Sequence, residues 1–99
     1  MVIVLGSVTI EEQSLERAIE LSLEHVTRSR EEPGCLSHGV HVDTEDPTRL
    51  VFVERWQDMD ALQQHFRVPA SGEFVNALGQ LATSDPKMEI FNASDIPRH

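Results

Sequence analysis

Two strand-like runs that share one turn constrain this chain more than any other feature. Cys35 to Asp43 alternates Leu36, His38, Val40 and Val42 against Cys35, Ser37, Gly39 and His41, the period of two expected of an extended strand. Asp43-Thr44-Glu45-Asp46-Pro47 supplies turn residues, and Leu50 to Trp56 then offers Leu50, Phe52 and Trp56 on one face and Val51 and Val53 on the other. The pair reads as an antiparallel hairpin with a longer loop. What flanks it on each side decides the fold.

Upstream, Val2 to Thr9 is a β-rich run whose two faces, Val2, Val4 and Val8 against Ile3, Leu5 and Ser7, are both largely apolar. Thr9 with Glu12 reads as a capping box for a helix whose buried side is Leu15, Ile19, Ser22 or Leu23, and Val26, with Glu16, Arg17, Glu20 and Glu24 on the wet side. Pro33-Gly34 ends it. Downstream, Asp58 is an N-cap for a helix that buries Leu62 with His65 or Phe66, interrupted at Val68-Pro69. A further helical piece carries Phe74, Leu78 and Leu81, and Asp85-Pro86 opens a last strand, Lys87 to Asn92.

The order β-α-β-β-α-β predicts an α+β fold of the ferredoxin-like, split βαβ kind: a four-stranded antiparallel sheet with helices on one face. One domain spans residues 1–99, with 93–99 as a polar tail. Helices on one face leave the other face of the sheet, with its valines, in water, and apolar patches of that size are uncommon on soluble monomers. A homodimer stacked sheet on sheet is therefore predicted.

Composition narrows the partners. With 99 residues and 39% apolar content the chain can bury one core and has no room for a separate cofactor module. Seventeen acidic residues against eight basic ones, a formal charge of −9, oppose binding to nucleic acid or to an anionic membrane surface. A lone Cys35 and a start without a secretion signal point to a reducing, cytoplasmic setting, and no apolar run reaches the roughly 18 residues of a membrane span. There is no glycine-rich dinucleotide fingerprint and no chelating spacing, since His38 and His41 fall on opposite strand faces. No cofactor and no metal are expected.

Glu32-Pro33-Gly34-Cys35-Leu36, Asp43-Thr44-Glu45-Asp46-Pro47-Thr48-Arg49, Val53-Glu54-Arg55-Trp56 and Ala61-Leu62-Gln63-Gln64-His65-Phe66 together resemble the antibiotic biosynthesis monooxygenase family. The likeness covers about 60 residues. It implies a dimeric α+β barrel with a pocket between sheet and helices, and members that are cofactor-independent oxygenases of aromatic polyketides and quinols or haem-degrading enzymes. Several positions depart from the family. Ser7 stands where haem-degrading relatives carry asparagine, and Ser71 to Leu81 lacks the histidine those relatives use for iron. Ala70-Ser71 replaces a His-Phe pair, and the chain has no tyrosine.

The candidate site follows. Trp56 resembles the family's pocket tryptophan and could stack on a flat substrate, or could serve as the largest core residue. His65 could accept a proton from a phenol or quinol, or be a hydrogen-bonded structural histidine. His38 is the second catalytic candidate and lines either the cavity or the dimer interface. Phe52, Ser7 and Arg55 complete the substrate-contacting set, with a surface ion pair as the alternative for Arg55. The expected activity is a monooxygenase acting on a small aromatic substrate with molecular oxygen, the substrate supplying the electrons. The alternatives are a non-enzymatic binding module and, given the missing ligand, a less favoured haem protein.

Overall fold

The computed structural model describes residues 1–98 and confirms the order of elements. Strand β1 (Val2–Thr9) leads through a 3₁₀ turn at Glu12–Ser14 into α1 (Leu15–Ser29), followed by β2 (Cys35–Val42) and β3 (Arg49–Trp56). Helices α2 (Met59–Arg67) and α3 (Pro69–Leu81) precede β4 (Lys87–Asn92). The sheet runs β2-β3-β1-β4 with every neighbour antiparallel. The tail is irregular as far as Arg98; His99 lies outside the described residues. Among the described residues no helix is long and apolar enough to cross a membrane.

Local chemistry accounts for most boundaries. Asp58 caps α2 as its sequence suggests, its carboxylate accepting from the Ala61 N–H at 2.9 Å. Val68-Pro69 breaks the helical run, with the proline at the start of α3 where its missing N–H does no harm. Gly34 has φ +83, and a Cβ there would sit 2.5 Å from the Ala61 Cβ, so the turn into β2 needs glycine for both conformation and space. Two expectations fail. Thr9 remains in β1 and α1 starts at Leu15 without a side-chain cap, because the strand continues to a bridge between Ile10 and Ala82. At the start of β2 a bulge between Cys35 and Ser37 turns Cys35 toward the core and leaves Leu36 57% exposed, which reverses the alternation read there.

The register assigns the faces. Val2, Val4 and Val8 share the helix-covered face with Leu50, Phe52, Glu54 and Trp56 and with His38 and Val40. Two apolar clusters occupy its ends: Val8, Ile10, Ala18, Val26, Leu50, Phe52 and Leu78 at one, and Val2, Val4, Trp56, Ala61 and Leu62 at the other. Glu54, between Phe52 and Trp56 on β3, falls where the clusters meet. On the opposite face Ile3, Leu5, Val51, Val53 and Phe91 form an apolar surface with no helix over it. Strand β4 is exposed throughout.

Candidate functional site

The polar seam between the two clusters is the part of the molecule with chemical potential, and α1, the turn after it, β2, β3 and α2 all build it. On α2, His65 follows Leu62 by one turn and faces inward, 4% exposed. Its Nδ1 lies 2.8 Å from Glu32 Oε1, in the turn after α1. A carboxylate only accepts, so Nδ1 carries a proton, and in the neutral ring it is Nε2 that holds the lone pair. The His65 ring is 4.6 Å from that of Trp56, tilted by 37°.

Helix α1 contributes His25. Its buried face is Ala18, Ser22, His25, Val26 and Ser29; the small Ala18, Ser22 and Ser29 let the helix approach the sheet, with the Ser22 and Ser29 hydroxyls donating to the carbonyls of Ala18 and His25 at 2.7 Å. Leu23, offered above as an alternative to Ser22, is 53% exposed. Arg28 donates to His25 Nδ1 at 3.0 Å and to the Ala70 carbonyl at 3.3 Å. The His25 ring stacks on Phe74 at 4.1 Å with 7° between planes. Burial, then the neighbouring His38, His65 and Arg28, push His25 down to about 3 against the pull of Glu54, so it is neutral.

His38 and Glu54 face each other across β2 and β3. Glu54 Oε1 accepts the Trp56 indole N–H at 2.9 Å and lies 3.2 Å from His38 Nε2. That separation suits an ion pair, but the angle misses a hydrogen bond, and among the described residues neither ring nitrogen of His38 has an aligned partner. Burial pushes the Glu54 carboxyl up; His38, the indole N–H and His65 more than offset this and hold it below the usual carboxylate range.

Beside the seam lies a cavity of about 420 Å³. It opens where α3, resting on α1 and α2, leaves the β1 and β4 side of the sheet uncovered. Phe52, Phe74, Val75, Leu78 and Met88 give it apolar walls, and His25, His65, Glu54 and Ser71 give it polar points. The Ser71 hydroxyl is buried without a partner among the described residues.

Of the six residues singled out from sequence, His65 and Phe52 line this cavity, and Ser7 borders it on β1 while its register opposite Val51 belongs to the outer face of the sheet. Trp56 does not. It is fully buried behind His65 in the cluster with Val2, Val4 and Leu62, so it supports the site instead of stacking on a ligand. His38 sits on the helix side of the sheet, 3% exposed, behind the cavity wall. Arg55 lies on the opposite face, exposed, donating to the Ser37 hydroxyl at 3.3 Å; it has no geometry through which to orient a substrate there. Sequence reasoning missed His25, Glu54 and Glu32 as members of the site. The signal for Glu54 was present in its parity with Phe52 and Trp56.

Known proteins resemble this one throughout. The model of the antibiotic biosynthesis monooxygenase family matches residues 1–77. A crystal structure of an antibiotic biosynthesis monooxygenase has 27% identity and a TM-score of 0.89 over 96% of this chain and 100% of that one. A provisionally assigned antibiotic biosynthesis monooxygenase from Deinococcus radiodurans has 24% identity and a TM-score of 0.93 over 100% of this chain and 98% of its own, a likeness of fold alone. An uncharacterised protein of Synechocystis sp. is 29% identical over 94 residues, 95% of this chain. The chain spans 64% of the length of that curated relative.

Proposed function

Because this chain belongs to the antibiotic biosynthesis monooxygenase family, we propose that it is a monooxygenase that oxidises a flat, electron-rich phenol or quinol in the cavity beside His65. The family supports a monooxygenase-type activity in general. The observation that supports the finer reading is a histidine on an apolar cavity wall whose Nδ1 is held by Glu32, which leaves Nε2 free to take a proton.

The chemistry needs nothing beyond substrate and oxygen. His65 Nε2 accepts the phenolic proton, and the phenolate, richer in electrons than the phenol, reduces dioxygen at an open ring carbon. The new C–O bond keeps one oxygen atom; the O–O bond breaks, and the second oxygen leaves as water with the ring C–H hydrogen and the proton returned by His65. Phenol and one dioxygen thus become quinone and one water. Phe52 and Phe74 suit a planar ring by their edge-to-face arrangement at 6.0 Å, and the apolar walls limit the water that reaches reactive intermediates. The apolar outer sheet face suits a second copy, and a homodimer is part of the proposal.

The test is oxygen uptake with a panel of hydroxynaphthalenes and quinols on chelator-treated protein. One dioxygen consumed per quinone formed, with loss of rate in His65→Ala, supports the reading; rates no different in the variant remove His65 from the mechanism.

A further inference from the structure

We propose that His25, His38 and His65 form a binding site for one zinc-type divalent ion per chain. The inference goes beyond the reaction proposed above and does not depend on it. The three histidines come from α1, β2 and α2, and one ring nitrogen from each lies within 4.8 Å of the others. Their ring centroids are 5.3, 5.3 and 5.6 Å apart. Three imidazoles bound tetrahedrally to one zinc, with bonds of about 2.0–2.1 Å, place their centroids about 5.2 Å apart. The rings therefore already stand at nearly the spacing an ion requires, and small movements bring the nitrogens to the roughly 3.4 Å of a tetrahedral set.

Independent observations point the same way. His38 has a fully buried side chain; among the described residues its Nδ1 has no hydrogen-bond partner and its Nε2 meets only the misaligned Glu54 Oε1 at 3.2 Å, and buried polar atoms rarely stay unpaired without an unseen partner. Glu32 on His65 Nδ1 is the carboxylate–histidine arrangement that orients a metal ligand and leaves Nε2 to bind. Glu54, 3.2 Å from His38, supplies a second carboxylate to the seam. The two carboxylates offset the guanidiniums of Arg28 and of Arg30, whose Nε donates to the His38 carbonyl at 2.9 Å, and imidazole donors suit zinc, copper, nickel or iron over calcium or magnesium.

Arg28 opposes the ion. An arginine only donates, so His25 meets it with the Nδ1 lone pair and carries its proton on Nε2. To bind through Nε2, His25 must move that proton to Nδ1 while Arg28 turns wholly to the Ala70 carbonyl, which it already contacts. The ion also takes the His65 lone pair used by the proposed reaction, so the loaded protein cannot run it through His65.

The experiment is titration of the chelator-stripped full chain with Co²⁺, followed by Zn²⁺ calorimetry and zinc X-ray absorption on the wild type. Expected are one ion per chain, the intense visible bands of four-coordinate cobalt, and scattering from three imidazoles. His38→Ala weakens binding at least about 100-fold, and Arg28→Gln tightens it by roughly tenfold. Weak six-coordinate cobalt, scattering with no imidazole signature, or affinity unchanged in both variants overturns the site. The X-ray absorption arm needs no variant to fold, and oxygen uptake by the stripped protein fails or succeeds separately.

Discussion

Glu32 Oε1 stands 2.8 Å from His65 Nδ1, a contact that ties the turn after α1 to the inner face of α2 and fixes which nitrogen of the imidazole is free. The carboxylate is only slightly exposed, at 14%, and the ring less so, at 4%. A charge-assisted bond in that setting orients the ring and contributes to stability together.

Glu32→Ala is therefore expected to lower kcat about tenfold with little change in KM, because the ring loses its orientation and not its contact with substrate. The same change costs about 1–3 kcal/mol in urea unfolding. Glu32→Gln, which keeps an acceptor oxygen, recovers part of the rate. Equal loss in both variants would show that charge and not orientation is the contribution.

Trp56→Phe separates a supporting wall from a substrate surface. The indole is fully buried and its N–H donates to Glu54, so the phenyl ring leaves a gap and a buried carboxylate short of a donor. A loss of about 2–4 kcal/mol is expected in urea unfolding followed by far-UV circular dichroism. KM for an aromatic substrate stays near its wild-type value, since the indole does not line the cavity. A large rise in KM with little loss of stability would place the ring against the ligand.

Gly34→Ala strikes the turn that presents Glu32. The residue has φ +83 and an added Cβ would meet Ala61 at 2.5 Å, so the chain must both leave a left-handed conformation and push α2 away. The expected destabilisation is about 1–3 kcal/mol, with a fall in any His65-dependent rate larger than for Gly79→Ala, where the added Cβ meets nothing within 4 Å.

The strands and breaks were legible because they depend on local chemistry: alternation in β1 and β3, the Asp58 cap, the proline at 69. The nearness of Trp56 to His65 was legible too, since parity and helical spacing each point one ring at the same layer. His25 was not. Periodicity tracks large apolar residues, whereas the face of α1 that meets the sheet is made of Ala18, Ser22 and Ser29, and Leu23 drew the stripe toward solvent. Three histidines separated by 13 and 27 positions show no chelating spacing; only the closing of the sheet under α1 and α2 brings them together. The bulge at Cys35 left no mark in the alternation, because either register of Cys35 and Leu36 reads as a plausible strand start.

That bulge has a measurable consequence for the one thiol. Cys35 packs against the cluster around Trp56 and Leu62, and burial, followed by the negative charges of Glu32 and Glu54, pushes its pKa up, with Arg30 pulling the other way. The thiolate is the reactive form, so alkylation by iodoacetamide at pH 8 is expected to run several-fold slower than for an unfolded control and to accelerate only above the usual thiol range. The sign for stability follows from the same shift. Below the ordinary thiol value both states keep the proton and nothing changes; as pH rises above it the unfolded chain ionises first, and the folded state loses stability until its own raised value is passed. Urea midpoints should therefore fall on the alkaline side in wild type and fall less in Cys35→Ala. In Glu32→Gln the alkylation profile should move to lower pH, since one of the charges holding the thiol protonated is gone; a profile that stays in place would mean burial and Glu54 set it without Glu32.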